Sequence, residues 1–191
     1  MEVLMKNPAV RTKELVLIAL MSALIAVGAF ITIPIPPVPF TLQIFFAMLS
    51  GVLLGSRNGA VSVGLYLLLG LCGVPVFTKG AGLSYLFQPT FGYLIGFAVG
   101  AWVCGTIIER RKNYRFGTIF SACLAGAGVD FAIGILYFYG IKNLYLGTGM
   151  SWWQIIFSTF LIFVPADTLL MALAALIGSR LLPILRREGL V

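Results

Sequence analysis

Histidine is absent from the 191 residues, and aspartate and glutamate together number only six. The first absence removes the commonest zinc ligand and the commonest general base. No Gly-x-Ser-x-Gly turn and no Walker lysine motif occurs either, so hydrolase and ATPase chemistry lack their usual residues. Cys72, Cys104 and Cys123 are odd in number, sit in apolar runs and make no metal-ligand spacing; they read as packing residues, with no metal and no cofactor implied. Charged side chains make up 10% of the chain against 60% hydrophobic. A soluble domain of this size could not cover itself with so little polar surface, so lipid is the solvent.

What is present is a series of apolar runs. They lie at about Leu15 to Ile33, Leu42 to Gly55, Ala60 to Phe77, Phe91 to Ile108, Gly117 to Tyr139 and Ile155 to Leu182. A span needs on the order of 20 apolar residues, so the length is filled by six of them with short connections. The expectation is an all-α polytopic membrane protein of six transmembrane helices, one integral membrane unit over 1–191. The first run follows Lys6, Arg11 and Lys13 as a signal peptide would, but it has no small-residue cleavage site and five more runs follow it.

The net charge of +7 comes in short clusters between the runs rather than in one stripe, which argues against a nucleic-acid partner. In a six-span arrangement Lys6, Arg11, Lys13, Arg57, Arg110, Arg111, Lys112, Arg115, Arg180, Arg186 and Arg187 fall on one side, and Lys79 and Lys142 on the other. Short loops rich in Lys and Arg stay in the cytoplasm, which places both termini inside.

The two outer connections differ from the inner ones. Ile33-Pro-Ile-Pro-Pro-Val-Pro-Phe40 cannot be helical, because proline fixes φ and lacks a donor, and it should run extended. The second, Lys79 to Gln88, carries glycine and aromatics. Both are candidate binding loops, or simply rigid turns. Small residues recur at helical spacing as Gly51 and Gly55, as Gly92, Gly96 and Gly100, and as Ala19 and Ala23. The glycine series suit close packing within the bundle; the alanine stripe on the first helix suits either a neighbouring helix or another protein.

Two acids lie inside spans, Asp130 and Asp167. Each costs about 3 kcal/mol to insert, so each is a functional candidate that must be protonated, face water or meet a polar ligand. Pro165 just before Asp167 should open the helical hydrogen-bond ladder and free carbonyls beside the carboxylate. An intramembrane aspartic protease is argued against by Gly126-Ala-Gly-Val-Asp130, one residue off the Gly-x-Gly-Asp pattern, and by the lack of a Tyr-Asp partner. A self-contained proton-coupled secondary carrier suits membrane aspartates, but matching repeats with broken helices are missing from the two halves.

Four segments carry a resemblance: Ile35-Pro-Pro-Val-Pro-Phe-Thr-Leu-Gln43, Gly70-Leu-Cys-Gly-Val-Pro-Val-Phe77, Gln88-Pro-Thr-Phe-Gly-Tyr-Leu-Ile-Gly-Phe97 and Pro165-Ala-Asp167. In this order they resemble the BioY family, the biotin-specific S-components of energy-coupling factor (ECF) transporters. The resemblance implies the ECF S-component fold, with a vitamin captured at the outer face, and no enzyme activity. It also implies a transmembrane T-component and two ATP-binding cassette ATPases as partners, in a complex where the S-component topples to deliver its load. Ala19 and Ala23 match the small-residue motif that meets the T-component, and Gln43, Lys79, Tyr85, Gln88, Tyr93, Asp130 and Asp167 are the expected ligand-binding residues. The family pattern Pro-x-Asp-x-x-Lys has Leu170 at its last position here, which leaves lipoate or another cofactor acid as the alternative to biotin.

Overall fold

The computed structural model describes residues 8–189, with side chains from Thr12 onward; Lys6 and the side chain of Arg11, both used above to orient the chain, lie outside them. Five helical stretches are long and apolar enough to cross a membrane: Thr12–Phe30, Gln43–Leu71, Phe91–Arg111, Phe116–Tyr145 and Trp152–Arg187. They contain α1 (Pro8–Phe30), α2 (Gln43–Leu71), α3 (Phe91–Arg111), α4 (Phe116–Tyr139), the short α5 (Trp152–Ile156) and α6 (Val164–Arg187).

The sixth pass is hidden inside α2. Gly55 breaks it with φ 81° and ψ −177°, a conformation open only to glycine. A straight helix would hold residues 43 and 66 about 35 Å apart. Instead the Gln43 side-chain amide donates to the Tyr66 hydroxyl at 2.7 Å, and the Ser50 hydroxyl contacts the Gly59 carbonyl at 3.3 Å. The chain therefore doubles back at Gly55 into two antiparallel limbs, 43–54 and 56–71. Glu109 at the end of α3 fixes the bend by accepting from the Ser56 N–H and hydroxyl, each at 2.7 Å.

Two span boundaries move. The third run was expected to stay helical to Phe77, but α2 ends at Leu71, because Gly73 takes φ 102° and Pro75 follows. This releases Cys72, which is exposed rather than packed, while Cys104 and Cys123 are buried with their sulfurs 3.8 Å apart. The last run is not one helix. After α5 the chain forms a wide π turn over Phe157–Leu161 and restarts as α6 at Val164, so Pro165 occupies the first turn of a helix rather than its middle. There its missing donor costs little.

Gly51 and the Gly92, Gly96 and Gly100 series do what close packing requires, whereas Gly55, expected to pack with Gly51 at helical spacing, is the bend itself. An added Cβ at Gly100 would lie 2.6 Å from the Gly126 carbonyl oxygen, and one at Gly51 would lie 2.3 Å from that of Ala101. Backbone thus touches backbone where α3 meets α4 and where the first limb of α2 meets α3. At the far end of the bundle Arg186 donates to the Tyr114 hydroxyl and lies over its ring, which brings the Arg110–Arg115 connection beside the end of α6. The basic connections thus gather at one end, opposite the proline-rich one.

Candidate functional site

That opposite end holds a cavity of about 620 Å³, counted with its open mouth, which lies between α2, α3, α4 and α6 beneath two connections. The proline-rich segment forms part of its roof. Thr32–Ile33 pairs antiparallel with Phe40–Thr41, so the four prolines are held in a small hairpin that runs extended, as proline chemistry dictates. Phe40 stacks parallel to Phe163, just before α6, with ring centres 6.2 Å apart. The second connection folds over the end of α2. Phe77 is buried against Gly70, whose missing side chain makes the room, and its ring lies 4.5 Å from that of Tyr85.

Gln43 ties these parts together. Its carbonyl oxygen accepts from the hydroxyl of Thr41 at 3.2 Å and lies 3.5 Å from that of Thr78, while its amide donates to Tyr66, which donates in turn to the Val76 carbonyl. A single buried amide therefore joins the hairpin, the second connection and the second limb of α2. Burial pushes the Tyr85 phenol above its ordinary pKa, offset in part by the Lys79 N–H and the hydroxyls of Thr90 and Thr78 beside it. This keeps Tyr85 a neutral hydrogen-bonding group at the roof.

The helices supply the deeper part. Tyr93 and Phe97 come from α3, Asp130 and Phe131 from α4, Thr159 from the π turn, and Asp167 from the first turn of α6. Both carboxyl groups are buried and face one cavity. Asp130 Oδ1 lies over Gly96, where a Cβ would approach to 2.3 Å, so the second glycine series also makes room for an acid. That oxygen has no hydrogen-bond partner among the described residues. The Tyr93 hydroxyl is turned to the Thr159 carbonyl at 3.3 Å, and the Thr159 hydroxyl to the Ile155 carbonyl at 2.7 Å.

Of the residues singled out from sequence, Gln43, Tyr85, Tyr93, Asp130 and Asp167 line this cavity together. Lys79 is exposed beside Thr78, and Gln88 is half-buried at the end of the 3₁₀ turn Leu83–Phe87; neither is part of the lining. Leu170, at the position of the expected lysine, is half-buried against the core and likewise outside the lining. Sequence reasoning missed Thr78, Thr90 and Thr159, since a threonine in an apolar run carries no signal until its neighbours are known. Ala19 and Ala23 are exposed on α1, on the face shared with Val16, Leu20 and Val27 and away from the cavity.

Comparison with known proteins decides the family. The sequence model of the BioY family matches residues 3–187. The chain belongs to the BioY family. It is 45% identical over 175 residues to the probable biotin transporter BioY of Lysinibacillus sphaericus, covering 92% of this chain and 89% of that protein. It is 39% identical over 171 residues to the biotin transporter BioY of Thermotoga maritima, covering 88% and 95%. Among solved structures it matches the S-component for biotin from an ECF-type ABC transporter, with a TM-score of 0.79 and 30% identity over 93% of this chain and 94% of that one. This BioY-family chain is thus a multi-pass membrane protein with the ECF S-component fold.

Proposed function

We propose that the chain is the substrate-capturing S-component of an ECF transporter, taking biotin at the outer face of the membrane for ATP-driven uptake. One observation carries the reading: a roofed cavity within the bundle, aromatic on its walls, into which two buried carboxyl groups and several hydroxyls converge. A preformed apolar pocket with a few directed polar groups suits a small ring-bearing acid. Gln43, Tyr85, Tyr93, Asp130 and Asp167 form the contact set, with Gln88 supporting the roof and Lys79 the cation nearest its mouth. The basic connections then face the cytoplasm together with both termini, and the cavity faces outward.

The partners are a T-component and two ATP-binding cassette ATPases, met through the exposed Ala19 and Ala23 face of α1, where small side chains let a helix approach closely. Calorimetry of the purified chain against biotin and lipoate tests the substrate. Biotin binding supports the proposal; lipoate binding alone moves the chain to the alternative acid that Leu170 leaves open, and binding of neither removes the vitamin reading. Ala23→Trp should leave ligand binding unchanged and abolish uptake by the assembled complex. Accumulation in liposomes by this chain alone, driven by a proton gradient, would make it a secondary carrier instead.

A further inference from the structure

The wall of the cavity carries acid without base. Its charged side chains are Asp130 and Asp167, and no Lys or Arg lines it among the described residues. Asp130 comes from α4 and Asp167 from the first turn of α6, so two separate helices bring their carboxyl groups to one space. Asp130 is 1% exposed, and its Oδ1 has no hydrogen-bond partner among the described residues, although a buried polar atom left unpaired is costly. The two hydroxyls on the same wall bring no relief. Tyr93 donates to the Thr159 carbonyl at 3.3 Å and Thr159 to the Ile155 carbonyl at 2.7 Å, so both protons are turned to backbone and lone pairs remain. Asp130, Asp167, Tyr93 and Thr159 thus line one cavity as a set of oxygen acceptors.

We propose that Asp130 and Asp167 hold a sodium ion, with the Tyr93 and Thr159 oxygens completing its shell, and that this ion is bound together with the vitamin. The inference rests on the function proposed above and adds a co-ligand to it. Like charges in a space of low dielectric repel strongly, and an acid ligand brings a third negative charge to a cavity that already holds two carboxyl groups. A cation between those groups removes the repulsion and gives the unpartnered Asp130 oxygen its contact. Gly96 leaves the Asp130 carboxyl room to turn about its soft last torsion, so either oxygen can meet the ion. Oxygen donors alone select a hard cation. A divalent ion takes about six to eight oxygens or retains a shell of water. The same helices present Leu94, Phe97 and Phe131 to this cavity, which supply neither, so the monovalent ion fits. Asp167 has two carboxylate oxygens, one for the ion and one to accept from the ligand. Uptake stays ATP-driven; the ion neutralises charge and is not the energy source.

The test titrates the purified chain with biotin in sodium, potassium and choline chloride at one ionic strength and one pH. Sodium should tighten biotin by about tenfold or more over choline, within the usual range for two coupled sites, and biotin should tighten sodium by the same factor. Without any vitamin, sodium and not potassium should raise the melting temperature of the parent chain in detergent. Asp130→Asn should abolish both sodium effects. Leu170→Lys is the sharper variant, because residue 170 lies one turn after Asp167 on α6, half-buried and outside the lining. An ammonium there comes within reach of Asp167 and takes the place of the ion, so biotin affinity should become the same in the three salts. Should either variant fail to fold, the salt series on the parent decides alone. Equal biotin affinity in all three salts, potassium acting as well as sodium, or a folded Leu170→Lys that still needs sodium would overturn the inference. So would a biotin affinity that ignores salt and falls as pH rises, which would put a proton rather than an ion on the acid pair. If the parent binds no biotin but sodium still raises its melting temperature, the proposed function falls and the ion site stands. Biotin binding with no sodium effect leaves the function and removes the ion.

Discussion

The two sides of α4 are built by opposite rules. Toward α3 the backbones are in contact, with Gly100 and Gly126 each placed against the other's carbonyl oxygen. Toward α6 there is an open groove of about 480 Å³, counted with the space at its mouth, lined by Leu124, Ala127, Gly128, Phe160, Val164 and Met171 among others, and an added Cβ at Gly128 would meet nothing within 4 Å. Gly126 and Gly128 are two residues apart on one helix, so the same residue type serves contact on one face and is unconstrained on the other. The comparison teaches that the rigid wall of the ligand cavity is α2, α3 and α4, while α6 delivers Asp167 from a looser seat after the π turn. Asp167 and Phe131 line both the ligand cavity and this groove, so they form the partition between them.

Breaking the tight side should have the largest effect. Gly100→Val forces branched carbon into a backbone contact that only a helix shift could relieve, and it should cost about 3 kcal/mol or more of stability, seen as a large fall in the detergent melting temperature. Gly128→Ala is the control for the loose side: with no contact made, helix propensity alone operates, and stability should hold or rise by up to about 1 kcal/mol. Equal losses in the two variants would refute the asymmetry.

Next in size is the partition itself. Asp167→Asn puts a donor where an acceptor is needed and should weaken biotin by about 30-fold or more while the melting temperature of the ligand-free chain barely changes. An unchanged affinity would return Asp167 to a purely structural role. Gln43→Leu should follow, at about 1 to 3 kcal/mol, because the Tyr66 hydroxyl and those of Thr41 and Thr78 lose their buried partner together. Its signature is loss of order in the roof, read as faster amide exchange across residues 72–82, with the helical bundle unaffected. The smallest effect belongs to Lys79→Ala. An exposed lysine near the mouth should contribute only a few-fold, selectively for the free acid over its amide, and an unaltered acid-to-amide ratio would remove it from the site.

Much of this was readable in the sequence where one residue type has one physical consequence. Four prolines between residues 34 and 39 exclude helix wherever they fall, and the hairpin follows. Asp130 and Asp167 announce themselves by cost alone, and they meet in one cavity. Gly92, Gly96 and Gly100 read as packing positions, and each would press a Cβ onto α4. What escaped were features fixed by distant partners. The way the segment after Leu71 folds back over α2 depends on Phe77 finding Gly70, and the π turn at Phe157–Leu161 has no residue signal of its own. Lys79 and Gln88 were expected at the ligand, but the turn between Phe77 and Gly80 and the end of the Leu83–Phe87 turn leave both outside the lining. Gln43 was expected at the ligand and lines the cavity, but its amide also donates to Tyr66 and its carbonyl oxygen accepts from Thr41, a matter of hydrogen-bond accounting that no motif records.

The fold-back at Gly55 has a consequence for the surrounding bilayer. At 1.5 Å per residue the limb 43–54 is only about 18 Å long and the limb 56–71 about 24 Å, against a hydrocarbon core of about 30 Å. The first limb is enclosed by the other helices, but the second exposes Val61, Leu68 and Leu69. Lipid along that face must thin, or polar headgroups must dip toward Arg57 and Asn58 at the bend. The elastic strain of that dimple is stored in the membrane rather than in the protein. It is relieved where another protein covers this face, so bilayer thickness itself becomes a variable that sets how readily the face is covered.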